Sequence, residues 1–235
     1  MIVLPENEVQ LWHFKVDEFS KEVESYTKLL SQKETASAYS YKFAKDRTVY
    51  ILARGLLRIL SGRYLNEIPE NIKFDYGEYG KPDYKFQTPI KFNISHSGNM
   101  IVMAFTRNFD IGVDIEKLKD DFDVIDIAQH FFSPDEIQTL EALPEKEQVH
   151  GFYRCWTRKE AFIKAKGSGL SFVLTSFSVS LDADRAELLR TDWDTGEKVE
   201  WCMFSFEPEE GYLGALSIRA NSSNIRQMDW DAIHT

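Results

Sequence analysis

The chain is 235 residues long, 43% hydrophobic and 14% aromatic, with 28 basic and 38 acidic residues and a formal net charge of −10. That length and composition support a real globular core and exclude a disordered chain. The negative balance excludes a general electrostatic grip on nucleic acid, which needs a basic face, so any phosphate must be held locally. Two cysteines, Cys155 and Cys202, with no CxxC pair, speak against a disulfide scaffold or a cysteine zinc site. The opening residues, MIVLPENEVQ, have no basic n-region, and no run approaches the roughly 20 apolar residues of a membrane span. A cytoplasmic protein with two reduced, buried thiols is expected.

In chain order, residues 9–16 alternate apolar and polar and predict a strand. A helical pattern runs from Asp17 to about Leu30. Ser31 and Glu34 form a capping-box signature for a further helical stretch. From Asp46 to Tyr64 the apolar residues Val49, Leu52, Leu56, Ile59 and Leu60 recur at helical spacing and predict a long helix, with Gly62 near its end. Residues 72–84 predict a strand running into a loop punctuated by Gly77, Gly80 and Pro82. KFNISHSGNMIVMAFT (91–106) predicts two strands joined at Ser97-Gly98-Asn99, and IGVDIE (111–116) predicts a third. Helical signals resume near Asp123. Ser133-Pro134-Asp135-Glu136 is a helix start, and Gln148–Lys166 predicts a second long helix closed by Gly167-Ser168-Gly169. Residues 176–181, 199–207 and 212–218 predict strands. The order gives an α+β fold of two similar halves, 1–110 and 111–235, without a clear internal sequence repeat.

Four constellations could carry chemistry, and each has an ordinary structural alternative. Asp114 and Glu116 share one strand face. Two like charges so close repel unless a cation separates them, and hard carboxylate oxygens suit Mg²⁺; the alternative is a strand end entering solvent. On the helix FYRCWTRKEAFIKAK (152–166), Phe152, Trp156 and Ile163 make an apolar stripe, flanked by Lys159 and Glu160, with Lys164 one turn on. Glu160 could be a third metal ligand or a general base and the lysines could hold phosphate charge; an i,i+4 Glu160–Lys164 pair at the rim is the alternative. In FNISHSG (92–98), Asn93, Ser95 and Ser97 share a strand face with His96 at the end: a phosphate-facing strand end or a polar hairpin. No serine triad and no nucleotide loop is present. Gly80 allows close backbone approach, Lys81 beside it and the basic segment Lys42, Lys45, Arg47 could meet phosphate, and a turn and a solvated helix end are the alternatives.

Taken together, FNISHSG, GVDIEK, the distant FFSPDE, W-x-x-KEAFIK-x-x-G-x-GL and the upstream GKP resemble the 4′-phosphopantetheinyl transferases, over roughly residues 30–182. The length and two-half arrangement are similar to the surfactin-synthetase-activating subfamily, a pseudo-dimer within one chain. The resemblance implies transfer of the phosphopantetheine arm of coenzyme A to a serine of an acyl or peptidyl carrier protein, with 3′,5′-ADP released. It implies Mg²⁺ at Asp114, Glu116 and Glu160; Glu160 as base for the carrier serine; Lys164 at the departing phosphate; and Lys159 at the pyrophosphate. It implies adenosine and phosphate contacts from Gly80, Lys81, Pro82, Ser95 and His96, beside Asn93. The basic residues usual in the family before the long helix are here Thr35, Ser37 and Ser40, so Lys33, Lys42 and Arg47 are the candidates to replace them. The carrier is expected to dock by Phe122, Phe131 and Phe132, aided by Lys117 and Lys119. A monomer is expected. A Mg²⁺-dependent phosphohydrolase and a non-catalytic binding module are the competing readings.

Overall fold

A computed structural model describes residues 1–77, 80–167, 172–220 and 223–231. Its strands follow the period-two rule that one face of a strand can feed one core while the other face feeds another. Strand β1 (Glu8–Lys15) pairs antiparallel with β5 (Met100–Arg107), and β5 pairs antiparallel with β4 (Ile90–Ser97). On β5, Ile101, Met103 and Phe105 enter a core with the helix α4 (Ala44–Leu65), while Met100, Val102 and Ala104 enter a second core on the other side. That second core is completed by Ile111, Val113 and Ile115 of β6 (Ile111–Lys117) and by Leu216 and Ile218 of β10 (Tyr212–Ile218). The opposite face of β6 packs against α7 (Glu145–Lys166). The molecule is thus layered as helix, sheet, sheet, helix, and the middle apolar layer joins the two halves.

The two larger sheets are β11-β1-β5-β4 and β6-β10-β9, with β9 at Cys202–Phe206 and β11 at Asn224–Met228. Between β4 and β6, side chains take the place of a backbone ladder. Asn93 Oδ1 accepts from the Val113 amide at 2.9 Å, Ser95 Oγ donates to Asp114 Oδ1 at 2.9 Å, and Ser97 Oγ donates to Glu116 Oε2 at 2.7 Å. The divided sheet leaves room there for a ligand.

Each half repeats one device. In the first, Ser31 caps α3 (Gln32–Ser40) and the capping-box carboxylate Glu34 reaches Arg58 of α4, 24 residues along, at 2.7 Å. In the second, Ser133 caps α6 (Pro134–Glu141) and the capping-box carboxylate Glu136 reaches Lys159 of α7, 23 residues along. Both α4 and α7 have 22 residues. The halves therefore share a framework that survives as a buried ion pair while the sequences around it differ.

Several boundaries depart from the sequence expectations. The first helical stretch is broken into α1 (Val16–Phe19), a 3₁₀ turn and α2 (Val23–Leu29). The segment 72–84 holds a short hairpin, β2 (Phe74–Tyr76) with β3 (Pro82–Tyr84). The helix α5 (Val124–Phe131) starts where Asp123 accepts the amides of Ile125 and Asp126. Besides β3, two further strands among the described residues were not expected: β8 (Leu188–Thr191), the partner of β7 (Phe177–Val179), and β11, which returns to pair parallel with β1. Ser168 and Gly169, expected to close α7, lie outside the described residues; Gly167 itself takes the left-handed conformation at φ 71° that ends the helix. Cys155 is buried as expected, whereas Cys202 is only partly so.

Candidate active site

A cleft of about 520 Å³ opens between the two halves, walled by α4, the turn at Gly80–Pro82, β4, β6 and the last three turns of α7. Its floor follows from the pleat of β6. Val113 and Ile115 face the middle core, so Gly112, Asp114 and Glu116 must face α7. Gly112 is what lets the helix come down onto them: a Cβ there would lie 2.0 Å from the Ala161 carbonyl oxygen and 2.4 Å from the Ala165 nitrogen. On α7, Glu160 and Lys164 stand one turn apart and face the same strand.

Charge governs the floor. Asp114 is 4% exposed. Lys164 Nζ donates to Asp114 Oδ1 at 2.6 Å and to Ser95 Oγ at 2.9 Å. Asp114 Oδ2 and Glu160 Oε1 are buried and have no hydrogen-bond partner. Burial, then the charge of Asp114, raises the Glu160 pKa above the usual carboxylate range, with Lys164 opposing. Burial also raises Glu116, opposed by the Ser97 hydroxyl and abetted by Asp114. The Ser97 hydroxyl has a fixed sense: it accepts the Lys117 amide at 3.1 Å, so its proton goes to Glu116. His96 opens to the cleft, and its pKa is lowered first by loss of hydration in the concave wall and then by Lys164 and Arg54.

Asn93, Ser95, His96, Gly80, Lys81, Pro82, Asp114, Glu116, Glu160 and Lys164 all line this one cleft. Other expectations need correction. Lys159 is turned away: its side chain is 1% exposed, its ammonium bonded to Glu136 and to the Phe177 carbonyl at 2.8 Å and seated 4.2 Å from the Phe177 ring. It is spent on the internal ion pair of the second half and does not reach a ligand. Lys42 and Arg47 are not in the lining; Lys42 lies over the exposed Phe43 ring and Arg47 over Tyr39. Lys81 reaches the cleft, yet its ammonium donates to the carbonyls of Lys164 (2.6 Å), Ile111 (3.1 Å) and Ala165 (3.3 Å). Desolvation brings its pKa down to about 8. Phe132 is 1% exposed and stacks on Phe152, so it is core; Phe131, 41% exposed, meets edge to face the ring of Trp156, which lines the cleft.

The three carboxylates share the cleft without forming a closed cage. Among the described residues, no group of three or more His, Cys, Asp and Glu side chains is gathered closely enough to hold a metal. The positive charge against Asp114 is the Lys164 ammonium. The donor set nevertheless fits Mg²⁺: hard carboxylate oxygens, two of them buried and unpartnered.

Sequence reasoning missed Arg54 and Tyr50 of α4. Both line the cleft, and the Arg54 guanidinium lies 5.4 Å from the Tyr50 and Tyr76 rings with Nη1 unpartnered. The available signal was a lone cation among Leu52, Ala53, Leu56 and Leu57, one turn after Tyr50.

The profile described as the 4′-phosphopantetheinyl transferase superfamily matches residues 110–217, and that described as 4′-phosphopantetheinyl transferase, N-terminal, matches residues 12–108. The 4′-phosphopantetheinyl transferase HetI of a Nostoc species is 31% identical over 220 residues, covering 92% of this chain and 90% of its own. The 4′-phosphopantetheinyl transferase Sfp of Bacillus subtilis is 37% identical over 164 residues, covering 70% and 72%. A further Bacillus subtilis 4′-phosphopantetheinyl transferase is 40% identical over 153 residues, covering 65% and 66%. The chain belongs to the 4′-phosphopantetheinyl transferase family. It has the two-part α+β organisation of the surfactin-synthetase-activating type. Among the described residues no helix is long and apolar enough to cross a membrane.

Proposed function

We propose that the cleft holds coenzyme A across the two halves and transfers its 4′-phosphopantetheine group to a serine of an acyl or peptidyl carrier protein, releasing 3′,5′-ADP. The observation that carries this reading is the trio of Glu160, Lys164 and Asp114 at one end of the cleft, with two buried carboxylate oxygens lacking partners. The serine oxygen attacks the β-phosphorus of coenzyme A. Its bond to phosphorus forms as the bridging P–O bond to 3′,5′-ADP breaks. Glu160, with its raised pKa, accepts the serine proton directly or through a water. Lys164, already fixed by Asp114 and Ser95, stabilises the departing phosphate oxygen or gives it a proton. When bound at Asp114, Glu116 and Glu160, Mg²⁺ would supply neutralisation of the charge that grows along the pyrophosphate. Positioning contributes much of the rest.

The adenosine end is assigned to the backbone of the turn at Gly80–Pro82, with His96 and Arg54 facing the phosphates; Arg54 takes the place first expected of Lys42 and Arg47. The carrier docks beside Phe131 and the half-buried Phe122, with Lys117 and Lys119 close by. The halves divide at residues 110 and 111, apart from the returning strand β11. The enzyme acts as a cytoplasmic monomer and binds no nucleic acid, in keeping with its net charge of −10.

Incubation with coenzyme A, Mg²⁺ and an apo carrier protein, followed by mass spectrometry of the carrier, tests the reading. A gain of one phosphopantetheine mass is expected. Coenzyme A cleavage without carrier modification would replace transfer by hydrolysis, and no change in either would leave a binding module.

A further inference from the structure

We infer that Lys81 is a positioning residue that fixes the base-bearing helix onto the carboxylate-bearing strand, and that its ammonium is not a phosphate ligand; this rests on the transferase reading above. The helix α7 ends at Lys166, so its last carbonyls have no partner within the helix. They also carry the negative end of the helix dipole. The Gly167 amide returns to the carbonyls of Ile163 (3.0 Å) and Lys164 (3.3 Å). Lys81 reaches in from the other half of the molecule and donates hydrogen bonds to the Lys164 and Ala165 carbonyls. The same ammonium also donates to the carbonyl of Ile111, the first residue of β6. A single cation thus ties the end of the helix carrying Glu160 and Lys164 to the start of the strand carrying Asp114 and Glu116.

Three contacts to carbonyls account for the donors of an ammonium group, so none remains aimed into the cleft. Burial works against the cation and is the larger effect; Asp110 and Asp83 offset it in part, and Lys91 adds to it. Gly112 shows how close the tolerance is. The α7 backbone lies so near β6 that even a methyl group would not fit between them. A shift of the helix end would carry Lys164 off Asp114 and Ser95, and misplacement of about 1 Å can cost on the order of 10²-fold in rate. Lys81 is accordingly needed for turnover more than for coenzyme A capture.

Two variants and one measurement on the unaltered enzyme test this. Lys81→Met should lower kcat at least tenfold while the KM for coenzyme A moves less than threefold. In the same variant without ligand, backbone amide exchange at residues 163–167 should quicken by about tenfold. Lys81→Arg, which can still donate to the carbonyls, should recover most of that protection. In the unaltered enzyme, the Lys81 side-chain nitrogen resonance should show protected ammonium protons without ligand and should not move when 3′,5′-ADP is added. A tenfold rise in KM with kcat unchanged, unaltered exchange in Lys81→Met, or a marked shift of the Lys81 resonance on adding 3′,5′-ADP would each overturn the inference. The exchange measurement needs neither coenzyme A nor carrier, so its failure is separate from a failure of the transferase reading.

Discussion

In the proposed reaction Glu160 has two opposed duties. Burial and the Asp114 charge raise its pKa, which suits a base but makes the ionised side chain a burden on the metal-free fold. Glu116 is raised for the same leading reason. Both groups hold a proton more readily folded than unfolded. In EDTA, their combined effect is that stability declines as pH rises from the unfolded value of 4.5 through the raised folded values. Glu160→Gln removes one of these charges. It should raise the melting temperature at pH 7 in EDTA by about 2–4 °C, the shift about 1 kcal/mol gives in a chain of this size. Transfer activity should meanwhile fall by about 10²–10⁴-fold. An unchanged melting temperature would place the carboxylate in better solvation than its orphaned oxygen implies, and retained activity would remove Glu160 from the chemistry. Ser97 is the quieter partner. Its hydroxyl sets the rotamer of Glu116, and Ser97→Ala should raise the half-saturating Mg²⁺ concentration about tenfold, within the range for groups that orient a ligand. Mn²⁺ titration followed by electron paramagnetic resonance, in the presence of coenzyme A, reads that change without turnover; equal affinities would show that Glu116 needs no such support.

At the scale of elements, the long helices and the β4–β5–β6 run were legible in the sequence because their periodicities are long and unmixed. The face carrying Asp114 and Glu116 followed from parity alone. What could not be read was which neighbour each flank would meet. Lys159 and Glu160 are adjacent on α7, and helical phase puts both beside the apolar stripe, yet Glu160 meets the cleft and Lys159 meets Glu136. Only the packing of α6 against α7 decides that. The strand β11, NIRQM, is short and polar and is strand only because β1 offers it an unpaired edge. The short β2–β3 hairpin likewise has too few residues to show a period. Lys159 yields the matching prediction. Removing one partner from a buried pair leaves the other charge uncompensated, at a cost of roughly 3–5 kcal/mol. Lys159→Met should lower stability by about that amount in urea titrations, whereas the KM for coenzyme A of the folded enzyme should stay within about twofold. A large rise in KM at undiminished stability would return Lys159 to the phosphate.

At the scale of the molecule, the candidate site has no home in either half alone. Asn93, Ser95 and Ser97 come from the first half and their partners Val113, Asp114 and Glu116 from the second. Behind them the middle apolar layer is shared: Val9, Leu11, Met100, Val102 and Ala104 from one side, Ile111, Val113, Ile115, Leu216 and Ile218 from the other, all 1% exposed or less. Apolar burial stabilises by about 25 cal/mol per Å², so separating the halves would forfeit several kcal/mol per side through this face alone. The strand β11 adds a second tie, since the C-terminal segment completes the sheet of the N-terminal half. Neither half should then unfold while the other keeps its core, although the fold repeats one architecture twice. Urea unfolding should therefore be a single transition. Far-UV circular dichroism, which reports every element, should coincide with the fluorescence of Trp12, buried in the first half, measured in a chain whose other tryptophans are replaced by phenylalanine. The same midpoint should come from Trp201, buried in the second half and retained alone in the same way. Midpoints separated by more than the extrapolation error would mean two independent domains. In that event the cleft would be an interface free to open, and the fixed approach of α7 to β6 would have to be maintained by the second half without Lys81.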